Sequence, residues 1–96
     1  MQILYFAYLR EYTGCKQEAW PPAPDVRSLL EALCAKHGAP FRQKIYKPGS
    51  EGVEGSEELG DVIIMVNGRH IDHLGGLATA LRDSDTVQIF PVVAGG

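Results

Sequence analysis

The chain has 96 residues, of which 45% are hydrophobic and 22% charged, and it carries a formal charge of −3. That length makes one domain with one core and leaves no room for a nucleotide-binding domain beside a substrate domain. The nine Lys and Arg residues are scattered, which argues against a counterion-releasing nucleic-acid surface, and no apolar run approaches the roughly 18 residues of a membrane span.

The opening MQILYFAYLR lacks the basic leader and small-residue cleavage site of a secretion signal, so a cytoplasmic protein is expected. Residues 2–9 are dense in Ile, Leu, Tyr and Phe and predict a strand near the sheet centre. Residues 9–13 read as a turn, Gly14 as a left-handed position, and 16–20 as a short second strand ended by Pro21 and Pro22. The two strands are expected to pair antiparallel.

Asp25 can cap a helix in which Val26, Leu29, Leu30, Leu33 and Cys34 share one face. The helix should run to about His37, with Gly38 as left-handed terminator and Pro40 preventing continuation. Phe41 and Ile45 sit one helical turn apart and predict a short helical turn. The segment 49–60, rich in glycine and acid, then reads as a solvated loop.

VIIMV at 62–66 is a strongly apolar strand, and Asn67-Gly68 is the pair preferred in a type I′ hairpin turn into RHI. Gly75 and Gly76 mark a turn, and Asp83, Ser84 and Asp85 another, before the last strand, Thr86 to Phe90. Pro91, lacking an amide donor, is expected to end the ladder and release 91–96 as a flexible tail. The order of elements predicts an α+β β-grasp fold, a mixed sheet of about five strands with one main helix, spanning 1–96 as a single domain.

Bland readings suffice for several residues. Cys34 fits the apolar helix stripe, while Cys15 beside Lys16 is the more accessible thiol; with no second cysteine pair, a zinc site is not expected. His70 and His73 have the H-x-x-H spacing but no evident third ligand, so no metal is expected. Trp20 reads as packing at the core edge. Phe6 and Phe90 are core by default, and strand alternation decides whether they face outward and mark an interface.

The tail reads FPVVAGG. Glycines have no Cβ, so a terminal Gly95-Gly96 pair can pass a channel too narrow for side chains and present its carboxyl to an enzyme. ILYFAYLRE, VNGRHI and DSDTVQIFPVVAGG together resemble the MoaD and ThiS family of ubiquitin-like sulfur carriers. The aromatic-proline step before VAGG is more similar to MoaD, the small subunit of molybdopterin synthase, although Val92 stands where many MoaD sequences carry a second proline.

The resemblance implies that an ATP-dependent, ubiquitin-activating-type partner adenylates Gly96. Sulfur then replaces AMP, and the thiocarboxylate delivers sulfur to a pyranopterin precursor in the molybdopterin synthase large subunit. It implies that Val93, Ala94, Gly95 and Gly96 enter the partner's pocket and that Phe6, Arg10 and Phe90 lie on the face that meets partners. No bound cofactor, nucleic acid, membrane or catalytic side chain is then required; ATP belongs to the activating partner. Alternatives are a modifier joined through Gly96 to a target lysine, a carrier for thiamine or tRNA thiolation, and an interaction domain with an inert tail.

Overall fold

The computed structural model describes residues 1–47 and 58–92, a five-stranded mixed sheet with three helices. In chain order these are β1 (Gln2–Tyr5), α1 (Leu9–Thr13), β2 (Gln17–Ala19), α2 (Val26–His37), α3 (Ala39–Ile45), β3 (Val62–Val66), β4 (Arg69–His70) and β5 (Thr86–Pro91). The sheet order is β2-β1-β5-β3-β4, with β1 and β5 parallel at the centre and the other pairs antiparallel. This is the β-grasp arrangement, in which the first and last strands lie side by side and the main helix supplies the crossover.

Alternation along the strands separates two faces. Ile3, Tyr5, Val62, Ile64, Val66, Val87 and Ile89 are buried on one of them. Against that face pack Val26, Leu29, Leu30, Leu33 and Cys34 of α2 with Phe41 and Ile45 of α3. Each such aliphatic or aromatic side chain, fully removed from water, contributes about 1.5–3 kcal/mol before the entropy of ordering is counted.

The main helix starts as its sequence predicts: the Asp25 carboxylate accepts from the Ser28 N–H at 2.8 Å. It ends at Gly38, whose φ of 93° and ψ of −178° lie in a region open essentially only to glycine. That is a positive-φ stop, but not the left-handed helical one expected. The extended ψ turns the chain directly into α3, with Pro40 in its first turn, where the missing N–H has no helical partner to lose. Pro40 therefore starts a seven-residue helix as well as closing off the previous one.

The predicted first strand is shorter than expected and the predicted turn is a helix. Ala7 takes a φ of 52° and breaks β1 after Tyr5, and residues 9–13 coil into α1, which places Leu9 in the core. Gly14 caps this helix in the left-handed conformation. The hairpin forms as expected, Asn67 and Gly68 both having positive φ, and the Asn67 side chain further ties the turn to Asp85 and to the Thr86 amide. The loop expected at 49–60 lies mostly outside the described residues. Its base is closed by a bridge between Tyr46 and Leu59 and by the Lys47 N–H donating to Glu58 O at 2.7 Å.

Pro91 does not end the ladder. It pairs with Val62, and the next amide, that of Val92, donates to Asp61 O at 2.8 Å. Since Val92 and Phe90 direct their amides toward β3, the nitrogen of Pro91 points to the β1 side, where β1 has already left the sheet. The proline costs no ladder bond there, and the sheet carries the chain one residue further than its composition suggests.

At the far edge a polar cluster fastens β2 to the end of α2. The Tyr5 hydroxyl donates to Glu18 at 2.5 Å, His37 Nε2 lies 2.7 Å from the same carboxylate, and Lys36 pairs with its other oxygen. Burial works against the charge on Glu18, but these three hydrogen bonds outweigh it and hold the carboxyl below its usual range. The same burial and the neighbouring carboxylate push the Tyr5 hydroxyl far above its ordinary value.

Candidate functional site

The face of the sheet turned away from α2 and α3 carries the second set of alternating side chains: Leu4, Ile63, Met65, Gln88 and Phe90, all half-buried. Among the described residues no helix covers them. Two strips run across the strands, Leu4–Gln88–Met65–His70 and, one step nearer the tail, Phe90–Ile63. Just beyond β1, Phe6 lies over Phe90 with ring centroids 4.1 Å apart and planes inclined by 13°. Such a stack is worth about 0.5–1.5 kcal/mol beyond area burial and holds both rings rigid at the surface.

Arg10 completes the constellation. The first turn of α1 brings its guanidinium to 5.9 Å from the centre of the Phe6 ring, and its Nε donates to Tyr5 O at 3.0 Å. The anchoring bond uses one of the five N–H donors of the guanidinium. Phe6 and Arg10, four residues apart, are thus brought together with the distant Phe90 into one aromatic and cationic patch. The left-handed Ala7 and the helix α1 are what fold Arg10 back over Phe6, so the elements missed by sequence reading position this residue.

Val93, Ala94, Gly95 and Gly96 lie outside the described residues. The last described residue, Val92, is 39% exposed and bonded to Asp61, so the chain reaches the tail at the end of β5 beside Phe90. Near it Gly60 passes so close to Tyr46 that an added Cβ would stand 3.1 Å from its carbonyl oxygen, a contact that the neighbouring backbone would have to yield by a few tenths of an ångström to admit. Asp61 also lines a cavity of about 500 Å³ with Tyr8, Lys44, Tyr46 and Leu59. Its cations are engaged: Lys47 pairs with Glu58, and Lys44 lies 5.8 and 5.9 Å from the rings of Tyr8 and Tyr12.

The remaining candidates fall elsewhere. Cys34 is buried in the core, where burial pushes its thiol up to about 11, a packed and unreactive group. Cys15 is half-buried at the end of α1, and Trp20 packs against the core edge beneath Lys36. His70 and His73 stand with rings 6.2 Å apart, and His70 Nδ1 accepts from the Asp72 amide. Among the described residues no group of three or more His, Cys, Asp or Glu is arranged to hold a metal ion. None of the helices described is long and apolar enough to cross a membrane.

Sequence reading did not single out Leu4, Ile63, Met65 or Gln88. The signal was present in the period-two alternation of QILY, VIIMV and TVQIF, where every residue between two buried ones must point to the other face.

The ThiS family profile matches residues 3–96. The chain is 36% identical to small archaeal modifier protein 3 of Haloferax volcanii, covering 100% of this chain and 98% of that protein. It is 32% identical to the sulfur carrier protein CysO of Mycobacterium tuberculosis, covering 92% and 89%. Among solved structures, small archaeal modifier protein 1 of Methanosarcina acetivorans superposes with a TM-score of 0.82 at 35% identity, covering 99% of this chain and 94% of that one. A BexX/CysO complex from Amycolatopsis orientalis gives 0.75 at 26%, covering 99% and 98%. A Pyrococcus furiosus protein provisionally assigned as molybdopterin converting factor subunit 1 gives 0.68 at 31%, covering 96% and 95%. With a family match over nearly its whole length and the β-grasp sheet that carries it, this chain belongs to the ThiS/MoaD family of ubiquitin-like sulfur carriers.

Proposed function

We propose that the chain carries sulfur on Gly96, whose carboxyl is activated by an ATP-dependent adenylating partner docked on the Phe6–Arg10–Phe90 patch. A carboxylate is a poor electrophile because it is anionic. In the first step its oxygen attacks the α-phosphorus of ATP, pyrophosphate leaves, and an acyl-adenylate forms. In the second, hydrosulfide attacks the carbonyl carbon and expels AMP, with release of one proton, leaving a thiocarboxylate. A persulfide can serve in its place if a thiol then reduces the resulting acyl disulfide. The sulfur of the product stays ionised at neutral pH and is the nucleophile delivered to an acceptor.

No side chain of this chain takes part in those steps. Its contribution is a rigid docking surface and a narrow tether beside it. The observation that carries the proposal is that the family match runs from the first strand through the tail while β5 ends next to an aromatic patch. The molybdopterin precursor is the acceptor favoured by the Phe90-Pro91 step and by the likeness to the Pyrococcus protein, making the chain the small subunit of molybdopterin synthase. A second reading, attachment of Gly96 to target lysines, is favoured by the likeness to two small archaeal modifier proteins. Both pass through the same adenylate.

The test is ATP–pyrophosphate exchange by the adenylating enzyme with the chain as substrate, repeated with one alanine appended after Gly96. Exchange should be lost in the extended variant while its melting temperature is unchanged. Undiminished exchange contradicts the proposal.

A further inference from the structure

Gln88 occupies the middle of the half-buried sheet face, on the central strand β5, with Leu4 directly across on β1 and Met65 directly across on β3. Its amide oxygen is buried and has no hydrogen-bond partner among the described residues. An acceptor in that condition costs the free protein about 1–3 kcal/mol, and an apolar side chain of the same shape removes the cost. For the isolated domain, therefore, this glutamine is worse than methionine. A bound partner reverses the balance: the oxygen has already been stripped of water, so a donor brought to it gains the bond without dehydrating the acceptor.

The tether says which partner covers this point. Four residues separate Val92 from Gly96, a reach of at most about 14 Å. An enzyme that acts on the Gly96 carboxyl must therefore press against the end of β5. Gln88 lies four residues back from Val92, about 13 Å along the strand. A standard docking patch of about 800 Å² per partner has a radius of about 16 Å, which takes in the Phe6–Phe90 stack and Gln88 together. Met65, unbranched and flexible, is the neighbour able to step aside and admit a donor.

Building on the proposed adenylation of Gly96, we infer that Gln88 is a specificity-determining residue of the docking face, whose amide oxygen accepts a hydrogen bond from an N–H of the adenylating enzyme. The stack supplies apolar adhesion and Gln88 fixes the register, because a partner with an apolar group in that place leaves the oxygen unsatisfied.

The experiment measures chain-dependent ATP–pyrophosphate exchange for the full chain, Gln88→Met and Phe90→Ala, with the melting temperature of each free chain. Gln88→Met should raise KM about tenfold with kcat unchanged, the loss of one interfacial hydrogen bond. The free Gln88→Met chain should melt at the same temperature or higher. An unchanged KM overturns the inference, and so does a lowered melting temperature, which would mean that the amide serves the fold. If Phe90→Ala also leaves KM unchanged, the docking reading of the whole face fails; if only Gln88→Met does, that reading stands and the role of Gln88 falls.

Discussion

The two faces of the sheet are made by the same strands from alternate residues, yet they are built to different ends. The helix-covered face is apolar at every central position, and Ile3, Tyr5, Ile64, Val87 and Ile89 are all at 0% exposure. The other face keeps its apolar groups half in water, stacks two phenylalanines at its edge, sets an arginine above them and leaves an amide oxygen at its centre with no partner among the described residues. One face is arranged for the free domain alone. The other leaves an acceptor unpaired among the described residues and keeps its two rings half-buried, and under the proposed function it is the face that a partner covers.

Perturbing each face in turn separates the two roles. The largest loss of stability is expected for Leu33→Ala on α2, where a cavity opens in the core: about 2–5 kcal/mol by denaturant unfolding. Its adenylation KM should remain that of the full chain wherever the variant is folded. Phe90→Ala should do the opposite, weakening the partner by about 30-fold or more as the loss of an aromatic anchor, with a smaller effect on unfolding. If both variants lose stability and docking in equal proportion, the division between the faces is wrong.

A smaller effect sharpens the account of the helix-covered side. Because the folded-state pKa of Glu18 lies below its ordinary 4.5, its ionisation contributes stability above that pH and loses it as the pH falls through the folded value. Glu18→Gln should flatten the acid limb of the stability profile, leaving the part owed to Asp25 and Asp85, whose carboxyls are also held low. Thermal melts at stepped pH measure this, and an unchanged limb would show that the Tyr5–Glu18–His37–Lys36 cluster adds nothing.

Most of the scaffold was legible in the sequence because it depends on local chemistry. Asp25 caps, Asn67-Gly68 turns, and the apolar patterns of 2–9, 26–34, 62–66 and 86–90 locate the strands and main helix, the first strand ending earlier, at Tyr5. What escaped was set by tertiary context. Residues 9–13 became helical because Ala7 turns the chain and Leu9 reaches the core, and Pro91 stayed in the ladder because its nitrogen faces the side vacated by β1. For the site, resemblance named Phe6, Arg10 and Phe90. Gln88 was hidden because an unpaired buried amide is visible only when the neighbours that fail to bond it are in place.

The central claim, that the chemistry happens on the carboxyl of Gly96, is tested most directly by mass spectrometry of the chain purified from cells with an active sulfur pathway. Cleavage after Arg82 releases Asp83–Gly96, which contains no cysteine or methionine to oxidise or alkylate. The account predicts a gain of about 16 Da on that peptide, the exchange of one oxygen for sulfur, together with labelling by a thiol-directed reagent. A peptide found only as the unlabelled carboxylate, under conditions in which the pathway is making product, would contradict it.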